Sequence, residues 1–301
     1  MPRERTNLAR DRQRAAHCGL HEPAQALEKI RSTYHAAADS YDQVPLGFWD
    51  AIGRATVARA SLRAGHHVLD VCCGSGASAI PAALAVGTDG RVVGIDLAAG
   101  LLDLARTKAA QAKLGQIEFV EGDFEELTEP AASFQSVVCV LGMFASPEPK
   151  AGVQRLWRWV RPGGSLALTV WGARPLEPLA EIFWHAVRAV RPDLAPSGNP
   201  WDAIATPATV MALFRAAGIN SVVVEASSGE QRLRTAEDGW TILMGTWHRG
   251  TIEALTIPQR VQVRAAVLAE LDARSIARVE VNVIYALARL FRACAPARRS
   301  R

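Results

Sequence analysis

Five short apolar runs, separated by helical stretches, constrain the fold of this chain more than any other feature of its sequence. They are rich in β-branched residues and occupy 67–73, 91–96, 117–122, 136–142 and 165–172. Their apolar residues are continuous rather than alternating, which is typical of parallel strands covered on both faces. Strand–helix–strand units in series build an open sheet with helices on either side. The sequence therefore predicts an α/β fold with a doubly wound, Rossmann-like sheet.

Helical spacing and turn residues define the segments between these strands. Apolar residues repeat at helical intervals in 23–43, 48–62 and 98–115. Gly87–Gly90 is predicted to end the helix after the first strand, and Pro162–Gly164 is predicted to turn the chain into the fifth strand.

Residues beyond 172 are predicted to complete the sheet and to add helices to it. The predicted elements are strands over 221–226 and 278–290 and helices over 175–190, 208–219 and 257–274. We expect seven strands, mostly parallel, with the last one antiparallel. Two segments, 173–207 and 228–275, are interpreted as helical insertions.

The charge of the chain is concentrated at its ends. The net charge is +4, but residues 1–31 carry seven Lys and Arg against four acids, and 289–301 carry five Arg and no acid. The segment between them therefore has four more acids than bases, which argues against a basic nucleic-acid-binding face. The sequence contains no run of 18 apolar residues and no apolar signal segment, so we expect no membrane association.

Cysteine usage points to a reducing compartment. The five cysteines include the neighbours Cys72 and Cys73 but no C-x-x-C pair, so neither a disulfide framework nor a zinc site is expected. We expect a cytoplasmic protein that holds no metal. A homodimer is one assembly that the sequence allows.

The stretch "VLDVCCGSGASAIPAA" (68–83) is the centre of the predicted ligand site. Gly74, Gly76 and Ala79 fit the spacing G-x-G-x-x-A, which also occurs in dinucleotide-binding loops. Asp96 ends the second strand, twenty residues after Gly76, where an acid can accept ribose hydroxyls. Further strand ends carry Asp123–Phe124 and Leu141–Phe144. Because ligands bind beyond the carboxyl ends of parallel strands, these residues are expected to share one site.

Four motifs in this order resemble those of the class I S-adenosylmethionine-dependent methyltransferases. They are "VLDVCCGSG", "GID", "EGDFEEL" and "LWRWVRPGG". The small-molecule enzymes of ubiquinone and menaquinone biosynthesis (methyltransferase type 11) are the most similar, because "AADSYD" (37–42) resembles their AxxYD segment. The resemblance extends well over 34–172 and in outline over 206–288.

The resemblance implies S-adenosylmethionine as cofactor and a role for each motif. The glycine turn would approach the aminoacyl part, Asp70 would face the methionyl amine, and Asp96 would accept both ribose hydroxyls. Asp123 would bind the adenine amino group, Phe124 would pack on the ring, and Tyr41, with Tyr34, would close a lid. The predicted cofactor-binding set is Tyr41, Asp70, Cys72, Gly74, Gly76, Asp96, Leu97, Asp123, Phe124 and Leu141.

The resemblance also implies a domain plan. A basic extension (1–25) precedes a single methyltransferase domain (26–290), and a basic tail (291–301) follows it. Within the domain we expect a helical lid (26–62), a cofactor-binding core (63–172) and two substrate-side insertions (173–207 and 228–275). Five tryptophans in or beside the insertions suit a flat or hydrophobic acceptor: Trp171, Trp184, Trp201, Trp240 and Trp247.

The predicted reaction is direct methyl transfer to a small, hydrophobic or aromatic metabolite. Transfer to oxygen is favoured over transfer to carbon, although the sequence does not identify the atom. Alignment supplies much of the catalysis, and a base is needed only if the acceptor still carries its proton. Candidate bases are His35, His185 and His248, with Glu181 beside them, and the sequence does not choose among them.

Other readings stay open at this stage. The site residues also fit turns, helix caps and core positions. A non-catalytic protein that binds the cofactor would keep the same motifs. An NAD(P)-dependent oxidoreductase is disfavoured, because its pyrophosphate would lie near Asp70 and no Tyr-x-x-x-Lys pair follows the fourth strand.

Overall fold

A computed structural model describes residues 21–143, 146, 148–196, 198 and 200–291. The strands are β1 His67–Val71, β2 Arg91–Asp96, β3 Ile117–Glu121, β4 Phe134–Val140, β5 Val160–Trp171, β6 Val222–Ser227, β7 Glu230–Arg232, β8 Arg278–Glu280 and β9 Val283–Arg289. The helices are α1 His21–Ala37, α2 Phe48–Ala60, α3 Ala79–Val86, α4 Ala99–Gln111, α5 Pro149–Trp159, α6 Leu179–Val190, α7 Pro207–Ala216, α8 Ala236–Met244, α9 Arg249–Glu253 and α10 Ile257–Ala273. Most of the predicted basic extension and tail lies outside the described residues.

Seven strands form one sheet in the order β3-β2-β1-β4-β5-β9-β6. The pairs among β1 to β5 are parallel, and β9 runs antiparallel to both of its neighbours. The predicted doubly wound sheet with an antiparallel last strand is confirmed. The chain order reverses at β1 and β4, which lie side by side, and this switch point opens a crevice at their carboxyl ends.

Helices cover both faces of the sheet. On one face α2, α3 and α4 bury small and branched side chains such as Val57, Ala83 and Leu102. On the other face α5 and α7 bury Trp159 and Phe214. A third apolar cluster joins α1, α6, α8, α9 and α10 beyond the carboxyl ends of the strands. The helices of this third cluster cover the crevice.

The structure corrects the predicted boundaries of β1 and β5. β1 ends at Val71, so Cys72 and Cys73 belong to the following loop. Pro162–Gly164, predicted to be a turn, form an irregular stretch inside β5, because Phe134 pairs with Val160 whereas Ser136 pairs with Ser165. The amide of Gly163 donates to the carbonyl of Leu290, so a neighbouring strand satisfies this stretch.

The predicted last strand is two strands. β8 pairs with β7 in a separate two-stranded sheet, and β9 enters the main sheet three residues later. Within the insertion over 228–275, α10 agrees with the predicted helix, and α8 and α9 were not individually predicted. None of the helices described is long and apolar enough to cross a membrane.

Candidate functional site

A cavity of about 720 Å³, part of it open to solvent, lies at the carboxyl ends of β1, β2 and β4. The loop after β1 forms its floor, and α1 covers it with Ile30, Arg31 and Tyr34. Its position is that of the switch-point crevice. Most of the wall is apolar, and Asp96 is the one carboxylate among the described residues that line it.

The loop after β1 needs backbone conformations that glycine adopts freely. Gly74 and Gly76 have φ angles of 54° and 88°, in the left-handed region where a Cβ is disfavoured. A Cβ on Gly74 would stand 3.4 Å from the hydroxyl oxygen of Tyr41. The bare glycine thus lets a lid tyrosine rest on the loop. Cys72 and Leu141 share the left-handed conformation, each directly after a central strand.

Asp96 holds the glycine loop in place. Its Oδ2 accepts a hydrogen bond from the amide of Gly74 at 2.8 Å, and its Oδ1 accepts one from the amide of Ala98 at 2.9 Å. Burial raises the pKa of Asp96, and these backbone donors counteract that shift. A carboxylate offers about four acceptor positions, so Asp96 keeps acceptor capacity for donors from the cavity.

Asp70 is a buried acid with one unsatisfied oxygen. The side chain is fully buried in β1, and the hydroxyl of Ser78 donates to its Oδ2 at 2.7 Å. Its Oδ1 has no hydrogen-bond partner among the described residues. Burial raises the pKa of Asp70 to about 7. A buried, unpaired carboxylate is costly, so a cation near the loop would stabilise it.

An aromatic wall closes one side of the cavity. Tyr41 stacks on Trp49 with ring centroids 5.1 Å apart and an interplanar angle of 4°. Trp49 then meets Trp171 edge-on at 5.8 Å, at the end of β5. The indole Nε1 of Trp49 is buried and has no hydrogen-bond partner within the described part of the chain. Burial raises the pKa of both Tyr34 and Tyr41, so the phenols stay protonated.

Three polar residues tie the lid segment to the glycine loop. The hydroxyl of Ser75 donates to Oδ1 of Asp42 at 2.6 Å, and Nζ of Lys108 lies 2.9 Å from both Ser75 Oγ and Asp42 Oδ2. Sequence reasoning missed these residues, as it missed Trp49. Signals were present in the sequence, because Asp42 follows Tyr41 directly and Ser75 stands between the two glycines.

The structure brings most of the predicted cofactor-binding residues together. Those that line the cavity are Tyr41, Cys72, Gly74, Asp96, Leu97 and Leu141. Asp70 and Gly76 stand behind the loop: Asp70 bonds Ser78, which lines the cavity, and a Cβ on Gly76 would press on Ile80. Their assigned roles stay predictions.

Asp123 and Phe124 are not among the residues that line the cavity. The carboxylate of Asp123 accepts from the amide of Glu125 and caps a short 3-10 turn. Phe124 is 4% exposed and packs in the core beneath the sheet. Neither residue lines the cavity in this structure, so their adenine contacts stay a prediction. Phe144, beyond β4, lies outside the described residues.

The three candidate histidines lie in different surroundings, and none lines the cavity. The Nδ1 of His35 accepts a bond from the amide of Gly100 at 3.3 Å. His185 lies on a separate groove between α6 and α10. His248 is fully buried, and burial lowers its pKa to about 3, so its ring is neutral.

The predicted tryptophans divide similarly. Trp171 and Trp247 meet at 5.5 Å and extend the aromatic wall towards His248, which Trp184 also contacts. Trp240 is buried in the cluster of the inserted helices. The side chain of Trp201 lies outside the described part of the structure.

Comparison with known proteins identifies the family. The methyltransferase domain model matches residues 68–164. Nocamycin O-methyltransferase of Saccharothrix syringae is 33% identical over 252 residues, which cover 78% of this chain and 86% of that protein. The chain belongs to the class I S-adenosylmethionine-dependent methyltransferases.

The chain is also similar to one further curated methyltransferase and, in its fold, to solved structures. Demethylmenaquinone methyltransferase of Oceanobacillus iheyensis is 35% identical over 111 residues, 37% of this chain and 47% of that protein. The YcgJ protein of Bacillus subtilis has the same fold, with a TM-score of 0.52 at 17% identity over 81% of this chain and 99% of that one. The [4+2]-cyclase SpnF matches with a TM-score of 0.51 at 19% identity, over 81% of each chain.

The site of this methyltransferase fits its cofactor, S-adenosylmethionine. The free acceptor positions of Asp96 suit ribose hydroxyls, and the unsatisfied oxygen of Asp70 suits the cationic amine. Apolar residues, among them Leu97 and Leu141, offer a surface for the adenine ring. These residues are therefore compatible with the cofactor, and the role of each one stays a prediction.

Proposed function

We propose that this methyltransferase transfers a methyl group to an oxygen atom of a small hydrophobic or aromatic metabolite. The observation that carries the proposal is the aromatic cluster in which Tyr41 and Trp49 line the cavity and Trp171 packs against Trp49. The buried Nε1 of Trp49 has no hydrogen-bond partner among the described residues. Rigid aromatic faces suit a flat methyl acceptor. The indole N–H is a hydrogen-bond donor only, so it would bind a hydrogen-bond-accepting atom of that molecule, such as oxygen.

The relatives support the same chemistry. Nocamycin O-methyltransferase is named for transfer to oxygen and aligns over 86% of its length. The demethylmenaquinone methyltransferase, named for a quinone-type molecule, aligns over 47% of its length. The body of the chain between its basic ends has an excess of acids, which favours a small acceptor over a nucleic acid.

The mechanism that we propose relies on alignment. When bound, S-adenosylmethionine supplies an electrophilic methyl group on a sulfonium. Asp96 and Asp70 would anchor its polar ends, and Tyr41 would cover it and limit the access of water. Trp49 would hold the acceptor oxygen by its N–H and align it for in-line displacement. No described histidine lines the cavity, so we propose that the acceptor oxygen loses its proton to solvent rather than to a dedicated base.

Two further properties belong to the proposal. We place the enzyme in the cytoplasm, which the free thiols of Cys72, Cys73 and Cys139 support. A homodimer stays one assembly that the sequence allows, and gel filtration with light scattering tests it.

The test is product trapping with a methyl-labelled cofactor. Purified enzyme is incubated with labelled S-adenosylmethionine and panels of phenols, carboxylic acids and quinols, beside matched compounds that lack an oxygen acceptor. Label that appears only in the oxygen-bearing compounds supports the proposal. Hydrolysis should release it from a methyl ester and leave it on a methyl ether. Label on carbon would overturn the oxygen assignment, and S-adenosylhomocysteine binding without any product would favour a non-catalytic binding protein.

A further inference from the structure

The inserted helix α9 packs against the lid helix α1. α1 presents Ile30, Arg31 and Tyr34 to the cavity. Thr33, one position before Tyr34, is 8% exposed and packs against Gly250 of α9. The lid helix is therefore held between the cofactor cavity and the insertion at 228–275.

The contact between Thr33 and Gly250 leaves no room for a methyl group. A Cβ built on Gly250 would overlap Oγ1 of Thr33 and stand 3.4 Å from its Cγ2 and 3.5 Å from its Cβ. The two helices could not keep this spacing with alanine at 250 unless Thr33 changed its rotamer. The absence of a side chain at Gly250 thus sets how closely the lid approaches the insertion.

Beside this contact, an ion pair joins α9 to the turn that follows α1. Arg249 is 7% exposed, and its Nη1 and Nη2 donate to the two carboxylate oxygens of Asp39 at 3.0 and 2.9 Å. Its Nε donates to Glu253 at 2.7 Å, which keeps the guanidinium oriented. This bidentate geometry is the stronger kind of ion pair. Asp39 is two residues before Tyr41, the lid residue on the glycine loop.

We propose that α9 positions the lid, so that the acceptor-side insertion determines how tightly and for how long the enzyme holds its cofactor. Arg249 and Gly250 are positioning residues, since neither lines the cavity. They act through Asp39 and Thr33 on the placement of Tyr34 and Tyr41. The inference rests on the cofactor and on the lid, and not on the identity of the acceptor.

Other contacts hold the lid independently of α9. Asp42 is bound to Ser75 and Lys108, and His35 to Gly100, through contacts that do not involve position 250. Loss of the α9 contact should therefore loosen the lid without unfolding the core. The expected consequence is faster escape of the cofactor.

The experiment measures binding of S-adenosylhomocysteine by calorimetry and its dissociation by stopped flow. Gly250→Ala is expected to weaken binding about tenfold, the scale of an overpacked contact, mainly through a faster dissociation rate. Thr33→Ala combined with Gly250→Ala removes the overlapping atoms and should restore affinity to within about twofold of the parent. Gly115→Ala, at a position with no heavy atom within 4 Å of the new Cβ, is the matched control.

A second pair of variants tests the ion pair without altering the packing. Asp39→Asn should weaken binding, whereas Asp50→Asn, which removes an exposed pair with Arg54 on α2, should leave binding unchanged. Asp39→Asn also decides the question if Gly250→Ala fails to fold.

The outcomes separate cleanly. Parent-like affinity in both Gly250→Ala and Asp39→Asn overturns the inference, as does failure of Thr33→Ala to rescue a folded Gly250→Ala. A parent enzyme that binds S-adenosylhomocysteine but methylates no acceptor would contradict the proposed function alone.

Discussion

At the scale of single residues, the pKa of Asp70 predicts a pH dependence of ligand binding. Burial raises its pKa to about 7 in the absence of ligand, and a cationic amine beside it would lower that pKa. Ligand affinity should therefore be constant above pH 7 and fall by up to tenfold per unit below it. Calorimetry with S-adenosylhomocysteine between pH 5.5 and 8.5, roughly spanning that pKa, measures this slope.

Asp70→Asn is the control for the slope. It should bind more weakly at pH 8 and show no pH dependence, because the amide does not titrate. The pKa of the neighbouring Asp96 is also raised by burial. A slope that persists in Asp70→Asn but vanishes in Asp96→Asn would transfer the titration to Asp96 and remove the predicted role of Asp70.

Trp49 gives a second prediction at this scale. Trp49→Phe keeps the stacking face on Tyr41 but removes the N–H that has no described partner. We expect KM for an oxygen-bearing acceptor to rise about threefold to tenfold, the value of one hydrogen bond, with unchanged affinity for S-adenosylhomocysteine. Trp240→Phe, buried among the inserted helices, serves as control. Weakened cofactor binding instead would place the indole on the cofactor.

At the scale of elements, α2 rests directly on the glycine loop. A Cβ on Gly53 would overlap the carbonyl group of Ala77 and stand 2.9 Å from the amide nitrogen of Ser78. Alanine at an exposed helix position gains about 1 kcal/mol over glycine, but overpacking against backbone costs roughly 1–3 kcal/mol. The steric cost should win, because backbone atoms cannot swing away.

Denaturant unfolding checks this balance. Gly53→Ala should lose up to about 2 kcal/mol of unfolding free energy and bind S-adenosylhomocysteine more weakly, since Ala77 and Ser78 line the cavity. Gly115→Ala has open space around its Cβ and should be neutral. A Gly53→Ala protein as stable as that control would mean that the helix and loop are not in direct contact.

At the scale of the whole molecule, the cofactor cavity joins the sheet, the lid and, through α9, the insertion. A ligand that binds there stabilises all three against unfolding. At a concentration one hundred times its Kd, S-adenosylhomocysteine should add about 2.7 kcal/mol to the free energy of unfolding and raise Tm by several degrees. NADH at the same concentration should not shift Tm. The reverse order would favour the dinucleotide reading of the glycine loop.

The sequence alone determined the sheet, because its signals are local. Continuous β-branched runs, glycine turns and an acid at the end of β2 each depend on a few neighbouring residues, and β2 occupies the predicted range. The same local signals placed Gly74 and Asp96 at one edge of the sheet. The family resemblance then pointed to the cofactor.

Only the tertiary structure decided which side chains meet across the fold. Arg249 and Asp39 are 210 positions apart, and Thr33 and Gly250 are similarly distant, so no periodicity relates them. Phe124 was predicted to pack on the adenine, and only the tertiary structure shows that it lies in the core cluster beside a turn capped by Asp123. The glycine loop is a local motif, whereas the lid that covers it depends on long-range packing between helices.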